Sequence, residues 1–297
     1  MTRNRATAIG FTAILMWSAL ALLTIRSAPV PPLLLNALCF AVGGILGLVW
    51  TLRRGLSVLR GVSWKVHAFG AAGLFGYHFL YFTAFRLSPT AETGLIAYLW
   101  PLFIVLFSGL LPGERLAANH ILGALVAFAG AAAILLGRDS AGAGNAAGFA
   151  LAFACALTWA GYSVLSRRMG EVPTEAVTVF CLATAVLSAL AHLAVEETAW
   201  PEGAAGWLAV LGLGLGPVGA AFFTWDVGMK KGDIQLLGVA SYAAPLLSTL
   251  ALVAAGIAVA SWTIALAALL IAGGAAIAAR RPSARKSGVS ADPATGG

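Results

Sequence analysis

GYHFLYFTAFRLSPTAETGLIAYLWPLF, residues 76–103, gathers aromatic rings, a histidine and two prolines around a single turn. An apolar run ends near Arg86, a turn of Leu87, Ser88 and Pro89 follows, and a second apolar run begins beyond Glu92. Two membrane-length helices therefore meet at a short hairpin. On the first, His78, Tyr81 and Phe85 fall at helical spacing and share one face; the second carries Tyr98, Trp100 and Pro101 near its middle. Rings with polar edges at membrane depth suggest a lined cavity.

Outward from this hairpin the composition is that of a membrane protein. The chain of 297 residues is 60% apolar and 10% charged, with mean hydropathy +0.92, against roughly 45–50% apolar and about 25% charged in soluble domains. Uncharged runs cover residues 6–25, 28–52, 66–85, 93–111, 116–137, 140–166, 176–195, 203–225 and 234–279. The last is 46 residues long, too long for one crossing of roughly 20 residues and suited to two, with a break near residues 258–261. The expectation is an all-α integral membrane protein with ten transmembrane helices. None of the runs alternates as β-barrel strands do. The first run follows Arg3 and Arg5 but is longer than a signal-peptide core and leads into similar runs, so it reads as the first span.

With the N-terminus in the cytoplasm, the 18 lysines and arginines fall at cytoplasmic ends except Arg26, Arg86 and Arg138. Asp139, Glu196, Glu197 and Glu202 gather on the other side. This positive-inside pattern places both termini in the cytoplasm of a multi-pass protein of the bacterial inner membrane. The net charge of +7 then reflects orientation and anionic lipid headgroups, and no basic face for nucleic acid is present.

An internal repeat supports the count. Tyr98 and Pro101 match Tyr242 and Pro245 at an offset of 144, which also sets Tyr81 on Trp225 and Gly130 on Gly274; Trp17 matches Trp159 at 142. Five helices per half is an odd number, so the halves are two inverted five-helix repeats, with a substrate site at the midplane between them. The domains expected are residues 1–138 and 146–281, an extracytoplasmic connector at 139–145 and a disordered cytoplasmic tail at 282–297.

The 35 glycines read as helix-packing residues, and Asn36 as a packing or interhelical hydrogen-bond residue. Cys39, Cys155 and Cys181 lie inside apolar runs without metal-ligand spacing. No nucleotide loop, nucleophile elbow or carboxylate pair occurs, so an enzyme or ATP-driven pump is not expected, and neither a metal nor a cofactor is.

The ten-helix repeat, the early tryptophan of each half, the proline in the fourth and ninth runs, and LPGER at residues 111–115 resemble the drug/metabolite transporter superfamily, EamA type. Residues 76–103 are similar to the hairpin of its aromatic amino-acid exporters. The second half lacks the acidic turn, with GIAV at residues 256–259. The resemblance implies a secondary transporter that exports aromatic and other large apolar amino acids by alternating access. The alternatives are a channel-like facilitator or a carrier of drugs or other metabolites.

Substrate contacts are expected from Trp17, His78, Tyr81, Tyr98, Trp100, Trp159, Ser241 and Tyr242, and gating from Pro101 and Pro245. The rings would enclose an apolar side chain, while Ser241, Tyr242 and His78 meet its polar end. His78, an ionisable group inside a span, is read as facing the cavity, where it contacts substrate or carries a proton. Trp50, Trp64, Trp200, Trp207 and Trp262 lie near run ends and fit an interfacial belt. Asp226 and Lys230 are expected to form a surface ion pair. The partners are a small-molecule substrate and the bilayer, and the protein is expected to be a monomer.

Overall fold

The computed structural model describes residues 1–136 and 145–280, which are helical with no strand among them. In chain order the helices are α1 (Arg3–Trp17), α2 (Leu20–Arg26), α3 (Pro32–Arg54), α4 (Trp64–Leu87), α5 (Thr90–Ala97), α6 (Trp100–Ser108) and α7 (Ala118–Leu136). Beyond the connector follow α8 (Ala146–Arg168), α9 (Ala176–Val195), α10 (Gly203–Leu215), α11 (Ala221–Lys231), α12 (Ile234–Ala240), α13 (Ala243–Ala254) and α14 (Trp262–Ala279). All of the expected connector at 139–145 except Asn145 lies outside the described residues, as does the tail at 282–297.

Nine stretches among the described residues are long and apolar enough to cross a membrane. α4 is equally long, at 24 residues, but its two early-to-middle histidines, tyrosines and glycines keep its mean hydropathy below theirs. The polar edges that mark α4 as a wall of a cavity are the same features that weaken it as a membrane signal.

Helix starts follow their capping residues. Ser63, Asn145 and Asp233 accept backbone N–H bonds from Lys65, Ala147 and Leu236 at 3.3, 2.9 and 3.0 Å, and Pro32 opens α3 where a missing N–H costs nothing.

Four spans are interrupted, three of them at proline. Pro101 has no N–H to give Ala97, and the chain turns through Tyr98 and Leu99, with Leu99 N donating to Ile96 O at 3.1 Å. Pro245 does the same to Ser241, between α12 and α13, where Tyr242 N donates to Val239 O at 3.2 Å. Between α10 and α11 a π-helical segment, Gly216–Ala220, contains Pro217. The fourth break, at Ser18 and Ala19 between α1 and α2, has no proline.

Close packing runs through small residues. α7 lies on α14, α3 on α9, α4 on α8 and α1 on α11. A Cβ on Gly123 would stand 2.5 Å from the carbonyl oxygen of Gly274, and one on Gly130 3.0 Å from that of Ala267. A Cβ on Gly10 would come within 2.8 Å of the Gly228 backbone. A methyl would force the backbones apart at Gly123 and Gly10 and would crowd them at Gly130, so these glycines set the helix separations.

Polar seams join the halves. Thr51 and Thr178 hydroxyls meet at 3.1 Å, and Asn36 Nδ2 donates to Ser188 Oγ at 2.7 Å. The expected surface pair of Asp226 and Lys230 is instead buried: the side chains are 2% and 4% exposed and 2.9 Å apart, with Thr174 Oγ1 donating to the carboxylate at 2.7 Å. The apolar run ends at Trp225, but the helix keeps Asp226 and the Lys230 side chain inside the bundle, so these charges are carried into it and need one another.

Glu196 is the hub of one end of the bundle. Its carboxylate, 1% exposed, accepts the backbone N–H groups of Leu33 at 3.0 Å and Leu34 at 3.2 Å, pairs with Arg86 and meets His192 Nδ1 at 2.9 Å. A negative group is thereby held at the N-terminus of α3 by residues 163 positions away. Glu196→Gln is expected to destabilise the folded protein by about 1–3 kcal/mol, because it weakens charge-assisted bonds to buried donors. Exposed Glu197→Gln is the control. Thermal unfolding in detergent checks this, and equal midpoints for the two variants would deny Glu196 this role.

Candidate functional site: a central aromatic cavity

The breaks in α1/α2, α5/α6 and the α10–α11 segment meet at mid-bundle, and a cavity of about 470 Å³ lies beside them. That volume suits a small organic molecule, for which pockets of roughly 300–1,000 Å³ are usual. Three indoles, Trp17, Trp100 and Trp159, line its base, and a fourth, Trp225, is buried against them. Trp17, Trp100, Trp159 and Trp225 come from α1, α6, α8 and α11, and each pair of rings lies between 5.0 and 6.3 Å apart. Their mostly edge-to-face and tilted geometry is what aromatic quadrupoles prefer.

Two indole N–H groups are tied to the scaffold. Trp17 Nε1 donates to Pro217 O at 3.0 Å, linking the break after α1 to the π-helical segment, and Trp225 Nε1 donates to Ser163 Oγ at 3.0 Å. The proline-containing segment thus offers a carbonyl that α1 captures, and Trp17 is held across 200 positions of sequence.

One wall is the face of α4. Tyr77, His78, Tyr81, Phe82 and Phe85 all line the cavity. His78 packs edge-on to Phe40 and Tyr77, each at 5.0 Å, and its Nδ1–H donates to Leu74 O at 2.7 Å. That bond keeps a proton on Nδ1, so that in the neutral ring Nε2 is the acceptor. Opposite stand α2, through Leu20, Ala21 and Thr24, and α13, through Ala244, Pro245 and Ser248. Among the described residues that line it there is no Asp, Glu, Lys or Arg.

Of the residues expected from sequence, Trp17, His78, Tyr81, Tyr98, Trp100 and Trp159 are brought together around this cavity. Ser241 and Tyr242 do not line it: both are fully buried at the α12/α13 break, where Ser241 Oγ donates to Leu237 O at 2.7 Å and Tyr242 packs on Phe128 at 5.8 Å. Pro245 lines the cavity; Pro101 is buried behind it. Sequence reading missed Asn36, Tyr77, Phe82, Phe222 and Ser248 as lining residues. Tyr77 and Phe82 were within reach, since they flank His78 on the quoted stretch. Trp64, Trp200, Trp207 and Trp262 stand exposed at the run ends.

The cavity reaches only one end of the bundle. Its lining extends to Thr24 and Ile25 at the end of α2, Phe85 near the end of α4 and Gly94 in α5. The opposite end carries the N-terminal residues and Arg280, the last described residue, since Arg3 pairs with Glu114 and Asn119 Nδ2 donates to Arg280 O at 2.9 Å. Here charged groups close the bundle. Glu114, 7% exposed, pairs with Arg167 and, at 3.4 Å, with Arg3; Arg3 also meets Asp233 at 3.2 Å. Arg167 further donates to Met229 O and Gly232 O at 2.8 and 3.0 Å.

The EamA-like transporter family profile matches twice, over residues 5–136 and 146–280. The chain is 58% identical over 284 residues to the aromatic amino acid exporter YddG of Ancylobacter novellus, covering 94% of this chain and 98% of that one. It is 28% identical to the YddG exporter of Salmonella typhimurium, over 84% and 88% of the two chains. A solved crystal structure, 56% identical, superposes with a TM-score of 0.88 over 94% of this chain and 98% of the other. The protein is a multi-pass membrane transporter, not an enzyme, and belongs to the EamA-like transporter family.

Proposed function

We propose that the protein exports aromatic and other large apolar amino acids from the cytoplasm by alternating access through the central cavity. The carrying observation is an uncharged, ring-walled cavity that opens at one end of the bundle while charged clusters close the other. Rings enclose a large apolar side chain, and neutral polar edges meet the zwitterion. The names of the relatives, aromatic amino acid exporters, agree with this chemistry.

The same reading takes the protein as ten spans in two inverted repeats, residues 1–138 and 146–281, counting α4 as the tenth. The doubled family match supports it. So does the packing of α7 on α14: the offset of 144 carries Gly123 to Ala267 and Gly130 to Gly274, so it exchanges the two contacts Gly123–Gly274 and Gly130–Ala267. Two segments related by a twofold axis in the membrane plane would pack in this way. Both termini are taken as cytoplasmic in a bacterial inner membrane, so the cavity faces outward. Trp17, His78, Tyr81, Tyr98, Trp100 and Trp159 contact substrate; Pro101, Ser241, Tyr242 and Pro245 serve the helix breaks that let the halves rock. A monomer without metal or cofactor suffices.

Purified protein in liposomes loaded with unlabelled phenylalanine is expected to accumulate external labelled phenylalanine by counterflow, saturably. Absence of counterflow with linear uptake would favour a pore, and no uptake at all would overturn the substrate class.

A further inference from the structure

An amino acid brings an ammonium group into this cavity, where no carboxylate is among the described lining residues. Burying that charge is costly unless neutral acceptors are aimed at it. Asn36, 4% exposed, borders the cavity from α3. Its Nδ2 donates to Ser188 Oγ at 2.7 Å, and Ser188 is fully buried on α9. With the amide nitrogen held by Ser188, the amide oxygen is the group left to the cavity. Phe40, one helical turn further along α3, packs edge-on to His78 at 5.0 Å. Asn36 therefore lies about one turn nearer the open end than the His78 ring, whose Nδ1 is committed to Leu74 O. A polar acceptor sits at the rim of the aromatic chamber, where the head of a substrate would lie while its ring rests on the indoles.

Building on amino-acid export, we propose that Asn36, positioned by Ser188, accepts the substrate's ammonium group and so sets selectivity for amines over acids. The role goes beyond helix packing: the interhelical bond to Ser188 engages the amide nitrogen, and the proposed contact uses the amide oxygen.

The test compares three ligands of purified protein by quenching of tryptophan fluorescence and by competition against phenylalanine counterflow: phenylalanine, 2-phenylethylamine, which lacks the carboxylate, and 3-phenylpropionate, which lacks the ammonium. Asn36→Ala is expected to weaken the first two by roughly tenfold and leave the third unchanged, the loss of one hydrogen bond to a charged group. Ser188→Ala, which frees the amide without removing it, should give the same pattern with a smaller change, and it decides the matter if Asn36→Ala does not fold. Equal weakening of all three ligands, weakening of 3-phenylpropionate alone, or no change in any would overturn the role of Asn36 while leaving export intact. Failure of the wild-type protein to bind phenylalanine would overturn the export reading itself and the Asn36 role with it.

Discussion

Trp100→Ala is expected to cut phenylalanine counterflow at least tenfold at matched protein level, whereas Trp200→Ala and Trp262→Ala remain near wild type. Trp100 is 5% exposed and packs against three other indoles at 6.0–6.3 Å, whereas Trp200 and Trp262 are 55% and 75% exposed. A ring against an aromatic substrate contributes about 0.5–1.5 kcal/mol beyond its area. Removing this one also loosens the base against which the other rings are held, so the loss exceeds that of one contact. Because truncating a large buried ring can cost about 3–5 kcal/mol of stability, Trp100→Phe serves as the companion variant: it keeps the fold and is expected to lose several-fold in apparent affinity. Tyr98→Ala is expected to fall between the two. Equal losses at Trp100 and Trp262 would detach transport from the aromatic base.

The residues of this base show how far the sequence could be read. Trp17, Trp100 and Trp159 stand out as rings far from run ends, and the repeat pairs two of them. Trp225 belongs with them but sits beside Asp226 and Lys230, which look like the end of a span. Only the buried ion pair 2.9 Å apart shows that the helix carries charge inward. The offset of 144 sets Trp225 on Tyr81 but says nothing about which face of α11 is turned to the other indoles. In a nearly uniform apolar run the helical period leaves little trace, so facing is decided by neighbouring helices.

Tyr242 illustrates the converse. It matches Tyr98 in the repeat, yet Tyr98 lines the cavity and Tyr242 is fully buried against Phe128. A cavity that opens at one end distinguishes the two halves, and sequence symmetry does not register which end is open. The interhelical bond expected of Asn36 is present, but its partner, like the hub role of Glu196, was hidden for another reason. Their partners are 152 and 163 positions away, and only a folded bundle brings a carboxylate after α9 onto the N-terminus of α3. The prolines, in contrast, act locally: Pro101 and Pro245 remove a backbone donor, and the interruptions lie within four residues before them.

Glu114→Gln is expected to open the end of the bundle that carries Arg3 and Arg280. Glu114 is the shared partner of Arg167 and Arg3, and Arg167 spans to the carbonyls of Met229 and Gly232, so one carboxylate ties the loop after α6 to α8, α1 and the turn between α11 and α12. Exposed ion pairs contribute little, about 0–1 kcal/mol, but Glu114 is 7% and Arg167 18% exposed. Breaking such a pair from one side costs about 3–5 kcal/mol. In an open state at this end both groups would meet water, so most of that cost falls on the closed state alone. If even 1.4 kcal/mol does so, the closed-to-open ratio changes about tenfold. The reporter is Ile104→Cys in a background with Cys39, Cys155 and Cys181 replaced by alanine. Ile104 is fully buried one turn beyond Trp100, on the side of the tryptophan base away from the cavity. In the otherwise intact protein this cysteine should react slowly with a water-soluble maleimide. Adding Glu114→Gln should speed labelling about tenfold or more and lower the ratio of outward-facing to inward-facing binding sites, and Arg167→Ala should do the same. Unchanged labelling in both variants, with unfolding midpoints unchanged, would mean that the tryptophan base and the packing of α1 on α11 hold this end shut without the charges.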